Sequence, residues 1–391
     1  MTAIHTPTQA PTVPPADPHG RSLEERYQVT VDQYRAFRRD GFLIVPGLAS
    51  QEDVRELRQH TADLMEGKLP EQKTKRMQER DIVDDGGTTV QGLEAPPDHL
   101  SPEEKAQHFL RIHMLHRKLE LHERYLLHPR LLDVLEVLIG PDVLALQSML
   151  FLKPPGKPGQ GWHQDSYYIP THPDTLCGAW IAIDDADEQN GAMWFAKGSG
   201  NEPVYPPCPE MGYGFGDKLV SDINYVRGVS NDDDSKNMLS RVADRYDQVL
   251  GSVKAGDVVF FNGHVLHRSK RNWSQDRYRR AFVGHYCNAR SFTQWGKDES
   301  RGGEHASPIV DEATGMTNAS HILARGDTHL PFAQPRFGTP CAATLPAEQR
   351  RKDAEYAARV MAETNNGLMG CAIADPTQAD DHDDTDKSGG Y

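Results

Sequence analysis

The chain has 391 residues, of which 37% are hydrophobic and 26% charged, with 33 Gly and 27 Pro; this is the composition of a loop-rich globular protein and excludes collagen-like, coiled-coil and wholly disordered classes. Its formal net charge of −14 repels a phosphate backbone, which excludes a broad nucleic-acid-binding face. No run approaches the ~18 consecutive apolar residues of a membrane helix, and Met1 to Gly20 lacks the apolar segment of a signal peptide, so a cytoplasmic protein that engages no membrane is expected.

Residues 1–22 hold five prolines and almost no apolar periodicity, the composition of a disordered arm. Thr30 with Gln33 forms a capping-box pattern, so a helix is expected over Val31 to Asp40; Gly41 ends it, and Phe42-Leu43-Ile44-Val45 reads as a short strand. Ser50 caps a second helix through about Leu64. Residues 66–100 are polar and punctuated by Gly and Pro, which predicts a long loop. Ser101-Pro102-Glu103-Glu104 restarts a helix, with Pro at its first position, and apolar spacing extends it to about Leu127. A further short helix is expected over Arg130 to Ile139.

From Val143 the pattern changes to short strand-like runs separated by turn residues: Val143 to Lys153, Ala179 to Ile183, Met193 to Ala196, Asp257 to Asn262 and Arg280 to Tyr286. Strands without crossover helices predict an antiparallel sandwich or barrel. The stretch Asn201 to Gly251 is an insertion with a Pro-rich start, an acidic turn at Asp232-Asp233-Asp234 and a helical end, and its length marks it as a lid or binding loop. One domain over 23–345 is expected, including an extension over 291–345, followed by a helix over 346–373. The tail 374–391 carries six Asp against one Lys, so part of the acidity is a solvated tail. Five cysteines, odd in number and without a C-x-x-C pair, fit structural thiols in a reducing compartment.

The residues that carry chemistry are Trp162-His163-Gln164-Asp165 and, about a hundred residues later, Gly263-His264-Val265-Leu266-His267. An imidazole and a carboxylate at i and i+2 of an extended segment point the same way and can grip one metal. With one further His they make a 2-His-1-carboxylate triad with open positions, which suits non-haem Fe(II) and oxygen activation. After the second motif come Ser269 and the cluster Arg277, Arg279 and Arg280, where an Arg on the following apolar strand can fork onto a carboxylate with Ser269 as a second donor.

In order along the chain, Asp40-Gly41-Phe42, Gln147-Ser148-Met149 through Lys153-Pro154-Pro155-Gly156, Trp162-His163-Gln164-Asp165, Ala179-Trp180 to Asp185, Asn190-Gly191-Ala192-Met193, Gly198-Ser199 and His267-x-Ser269 resemble the phytanoyl-CoA dioxygenase family of Fe(II)/2-oxoglutarate-dependent oxygenases over about residues 30–290. The resemblance implies a mainly β fold, a double-stranded β-helix (jelly roll, cupin-like) with N-terminal helices packed on one sheet. It implies His163, Asp165 and His267 as iron ligands, Ser269 and Arg279 as the receptor for the distal carboxylate of 2-oxoglutarate, and Trp180 and Met149 as pocket walls. Gln147 shares the strand face of Met149. The family's spacing from His267 falls on Tyr278, so a one-residue insertion selects Arg279, with Arg277 and Arg280 as alternatives; His264 is the rival of His267.

The implied chemistry consumes O2 and 2-oxoglutarate, releases succinate and CO2, and hydroxylates a C–H bond of a small organic molecule. Desaturation, cyclisation and peroxidation use the same ligands, whereas halogenating relatives lack the carboxylate that Asp165 supplies. A non-catalytic jelly-roll binding protein is the alternative from another class, and a monomer or homodimer is expected. His113, His116 and His122 fall on the expected helix over 101–127 and read as structural. Trp162 and Trp194 read as core, and Tyr167, Tyr168, Arg290 and Trp295 as rim or core.

Overall fold

A computed structural model describes residues 26–70, 82–84, 88–90, 99–101, 104, 111–113, 115–117, 119–205, 233–291, 293 and 321–326. The expected N-terminal arm, the helix over 346–373, the acidic tail, and most of both the insertion and the extension lie outside them.

The chain opens with α1 (Val31–Asp40), capped by the reciprocal Thr30–Gln33 box and closed by Gly41 at φ 85°, a left-handed turn that favours glycine. Strand β1 (Phe42–Val45) and α2 (Gln51–Met65), capped by Ser50 with Asp53, follow as expected. Two expectations fail next. The loop expected over 66–100 contains the hairpin β2 (Ile82–Asp84) and β3 (Thr88–Val90). Ser101 and Glu104 do exchange capping hydrogen bonds, but the helix expected to reach Leu127 gives way to β4 (Arg111–His113), a 3-10 turn over Leu115–Arg117, and α3 (Glu120–Leu126). Pairing of β4 with the edge of a long strand overrides the local helical spacing, as sheet context commonly does. Helix α4 spans Pro129–Leu138.

The β region comprises β5 (Val143–Lys153), β6 (Gln160–His163), β7 (Cys177–Ala182), β8 (Met193–Ala196), β9 (Gln248–Gly251), β10 (Val258–Asn262), β11 (His267–Ser269), β12 (Arg279–Asn288) and β13 (Ile322–Arg325). The insertion ends in a short helix α5 (Ser240–Ala243) and then strand β9, where sequence reading had only a helical end. One sheet has the order β1-β10-β7-β12-β5-β4-β3-β2, with β13 sharing the β5 edge, and the other runs β6-β11-β8-β9. Pairing is antiparallel throughout except between β3 and β4.

Period-two alternation gives the large sheet two apolar faces. Ala179, Ile181, Val258, Phe260 and Phe282 pack under the helices with Phe37, Leu57, Leu64, Leu126 and Leu131. The alternate residues Met149, Trp180, Val259, Phe261 and Val283 meet Met193 and Phe195 of the small sheet. Helices cover one face, and the opposite face looks into the space between the sheets. Phe282 is fully buried against Tyr125 and His122. Phe282→Ala is therefore expected to cost about 3–5 kcal/mol of stability, as buried aromatic truncations do; urea unfolding measures it, and a loss near zero would show that this side of the sheet is loosely packed.

Cys177 and Cys287 are buried free thiols. Burial raises both, Cys287 to about 12, which makes them inert structural groups.

Candidate active site

Strand β6 ends at His163, and Asp165 opens a 3-10 turn over Asp165–Tyr167. Gln164 between them is extended (φ −123°, ψ 130°), so the i, i+2 placement expected from sequence holds as far as Asp165, where the chain turns; the Gln164 amide donates to the carbonyls of His264 and Pro203. Alternation across the extended Gln164 sends both side chains inward. Strand β11 pairs with β6 so that His267 lies opposite His163, and the two rings stand 4.1 Å apart between centroids.

Among the described residues, His163, Asp165 and His267 form the one cluster with metal-ligand spacing, all buried, their ligand atoms within 4.8 Å of one another. Asp165 Oδ1 lies 3.6 Å from His163 Nε2 and 3.7 Å from His267 Nε2. The Nδ1 atoms of His163 and His267 approach the Gly161 and Val265 carbonyls at 2.8 and 3.1 Å. A carbonyl only accepts, so each Nδ1 carries the proton and each Nε2 turns a bare lone pair toward Asp165. This tautomer suits a divalent ion.

His285 on β12 was not found from sequence. Its Nε2 donates to Asp165 Oδ2 at 3.0 Å, which leaves Oδ1 to face the two imidazoles, and its Nδ1 is buried without a partner. Burial alone would raise the Asp165 carboxyl; the electrostatic pull of the facing His267, His285 and His163 imidazoles and the His285 hydrogen bond outweigh it and hold the group ionised, well below the usual carboxylate range.

These residues line a cavity of about 110 Å³ that also takes in Gln147, Met149, Ser269, Trp180 and Arg279. Arg279 is 4% exposed and its Nε has no hydrogen-bond partner. Burial pushes the guanidinium down to about 10, against the pull of Asp184, and its carbon stands 5.7 and 5.8 Å from the Trp180 and Phe151 rings. A buried fork with an unused donor is chemically suited to receive an anion. The alternatives are engaged elsewhere: Arg277 pairs with Asp187 and Arg280 with Asp184.

Other residues singled out from sequence separate here. His113 and Tyr168 line the cavity, so the purely structural reading of His113 is corrected; the strand geometry of β4, set opposite Met149, turns it inward. His116 bonds to Ser148 Oγ, and His122 Nε2 meets His60 Nε2. Trp162 is core beneath Arg268, Tyr167 is buried, Arg290 reaches Asp142, and Trp295 lies outside the described residues.

His264 joins neither the metal cluster nor the cavity wall. It pairs with Asp174 and with the Glu202 carbonyl. The Asp174 hydrogen bond raises the His264 imidazole above its ordinary 6.5. Burial alone would raise Asp174, but His264 overrides it and lowers the carboxyl below 3.8. Stabilisation from His264 is therefore complete below pH 6.5 and fades as pH rises through its elevated value; that from Asp174 is present above pH 3.8 and fades as pH falls through its lowered one. Asp174→Asn is expected to lower Tm more at about pH 5.5 than at about pH 9. An equal loss at both would remove the ion pair as its cause.

The sequence matches the phytanoyl-CoA dioxygenase (PhyH) family over residues 37–281. It is 25% identical over 289 residues to the peroxisomal phytanoyl-CoA dioxygenase of Rattus norvegicus, covering 71% of this chain and 75% of that protein. It is 25% identical over 289 residues to phytanoyl-CoA dioxygenase domain-containing protein 1 of Danio rerio, covering 68% and 92%. Among solved structures it is similar in fold to a non-heme monooxygenase, ThoJ in its apo form, with TM-score 0.50 and 17% identity over 87% of this chain and all of that one. The family match takes in His163, Asp165 and His267 and spans more than half of the sequence, which makes the chain a member of the phytanoyl-CoA dioxygenase family, an Fe(II)/2-oxoglutarate-dependent dioxygenase that uses O2.

Proposed function

We propose that the enzyme hydroxylates a C–H bond of a small organic molecule, with His163, Asp165 and His267 holding the iron and Arg279 and Ser269 holding the distal carboxylate of 2-oxoglutarate. The observation that carries this reading is the convergence on one buried cavity of the three-ligand cluster and an Arg279 fork with an unused donor. In this reading the two sheets are those of a double-stranded β-helix, and the enzyme is a cytoplasmic monomer or homodimer.

Bound iron supplies oxygen activation coupled to decarboxylation of 2-oxoglutarate. The chain's own residues do the rest. His285 keeps Asp165 ionised and presents Oδ1; an ionised ligand leaves no position for a halide, which favours hydroxylation over halogenation. The Gly161 and Val265 carbonyls fix the imidazole tautomers. Met149, Phe151 and Trp180 form the dry wall along which a dicarboxylate extends to Arg279. Gln147, His113 and Tyr168 offer polar contacts on the same cavity for a substrate.

Incubating the iron-loaded enzyme with 2-oxoglutarate, 18O2 and a panel of small molecules tests this. One 18O is expected in the organic product and one in succinate. A product that loses two hydrogens without gaining oxygen would replace hydroxylation by desaturation or ring closure, and the absence of succinate with every candidate would reopen the binding-protein reading.

A further inference from the structure

Next to the proposed carboxylate receptor lies a second buried cation. Lys153 closes β5 directly opposite Arg279 on β12, and with period two it shares the strand face of Met149 and Phe151, both on the cavity wall. Lys153 is 8% exposed and Arg279 4%. Like charges directly opposite on paired strands repel, and the low dielectric of the interior strengthens that repulsion; an anion beside the pair would relieve it.

Hydrogen-bond counting at Ser269 adds an independent constraint. Its Oγ accepts from Lys153 Nζ at 3.1 Å and from the Gln160 backbone N–H at 3.3 Å. A hydroxyl has two acceptor sites and one proton. With both acceptor sites engaged, Ser269 acts outward only as a donor, and it lies on the cavity wall with Arg279. The ammonium is held there by the Lys270 carbonyl at 2.5 Å and by the shape of Gly191, at φ 79°, where an added Cβ would stand 2.5 Å from that carbonyl and 3.0 Å from Nζ.

We propose that Lys153 is a positioning residue for the cosubstrate: by donating to Ser269 Oγ it turns the Ser269 proton toward a carboxylate on Arg279, and its charge selects a dicarboxylate over a monocarboxylate. The inference rests on the reading of Arg279 and Ser269 as the receptor, and its test separates the two. Full-length Fe(II)-loaded protein is titrated without oxygen with 2-oxoglutarate and with 2-oxovalerate, which has the same 2-oxo acid end and five carbons but no distal carboxylate.

Lys153→Met is expected to weaken 2-oxoglutarate by about ten- to a hundredfold, the scale of a hydrogen bond to a charged group, and to leave 2-oxovalerate and iron binding unchanged. Lys153→Gln, which keeps a donor of similar reach, is expected to lose less; it carries the same comparison if the Met variant fails to fold. In a Ser269→Ala background, Lys153→Met is expected to add less than its separate effect. Equal weakening of both acids means a structural role, no weakening of either means no role, and a full separate effect in the Ser269→Ala background means no action through Ser269; each overturns the proposal. Wild-type protein that binds both acids equally would instead overturn the receptor itself.

Discussion

Asp165→Ala is expected to abolish substrate oxidation and to weaken iron binding beyond the about 10–100-fold that loss of a residue supporting a metal ligand typically costs. The carboxylate is the only anion among the three side chains proposed to hold the iron, and its Oδ1 is the atom that faces both bare Nε2 lone pairs. Two imidazoles alone hold a hard divalent ion loosely and leave the third position of the triad undefined. The vacated volume also strands the His285 N–H, whose acceptor was Oδ2. Asp165→Asn separates charge from shape. With its oxygen toward the metal, the amide nitrogen faces His285, and that imidazole can answer by moving its proton to the unpartnered Nδ1. The Asn variant is therefore expected to fold as well as wild type and still to lose activity, because the charge is gone. Iron retained by equilibrium dialysis and 2-oxoglutarate consumed per enzyme are the measurements. Asp165→Ala protein that keeps its iron and consumes 2-oxoglutarate at the wild-type rate would refute the triad assignment.

Arg279→Ala is expected to raise the 2-oxoglutarate requirement by roughly 2–5 kcal/mol, the cost of truncating one partner of a buried charge pair. The guanidinium is buried, flanked by Trp180 and Phe151, and has an unused Nε donor, so neither water nor a neighbouring side chain replaces it. Arg277→Ala removes an ion pair with Asp187 whose side chains are 41% and 45% exposed; such pairs are worth about 0–1 kcal/mol, and the cosubstrate requirement is expected to stay at the wild-type level. Arg280→Ala breaks the Asp184 fork and is expected to lower stability without moving that requirement. A reversal, with Arg279→Ala neutral and either neighbour impaired, would place the receptor on a different residue of β12.

The metal cluster was legible because its signal is local: His163 and Asp165 are two residues apart, and His267 precedes Ser269 in one short strand. Helix α1 and strand β1 were legible for the same reason, their ends being written by Thr30, Gln33 and Gly41. His285 was not, since its role depends on β12 lying between β5 and β7 so that it reaches Asp165 across 120 positions of sequence. The apolar spacing around Ile112 suits a helix and becomes a strand only because Met149 to Phe151 offer an open edge. Arg279 falls between: sequence offered three arginines as the proposed receptor, while the side chains that engage Arg277 and Arg280, Asp187 and Asp184, come from the chain after β7, far away in sequence.

Strand β11 is three residues long and divides its side chains between two faces. His267 and Ser269 turn to the cavity, while Arg268 stacks on Trp162 and pairs with Asp234 on the other side. In the roles proposed for His267 and Ser269, one short ribbon carries both a metal ligand and a cosubstrate contact. Whichever arrives first pays the entropy of holding that ribbon still, and the second binds to a backbone already fixed. With those roles, iron and 2-oxoglutarate are expected to bind cooperatively, and by reciprocity each tightens the other by the same factor.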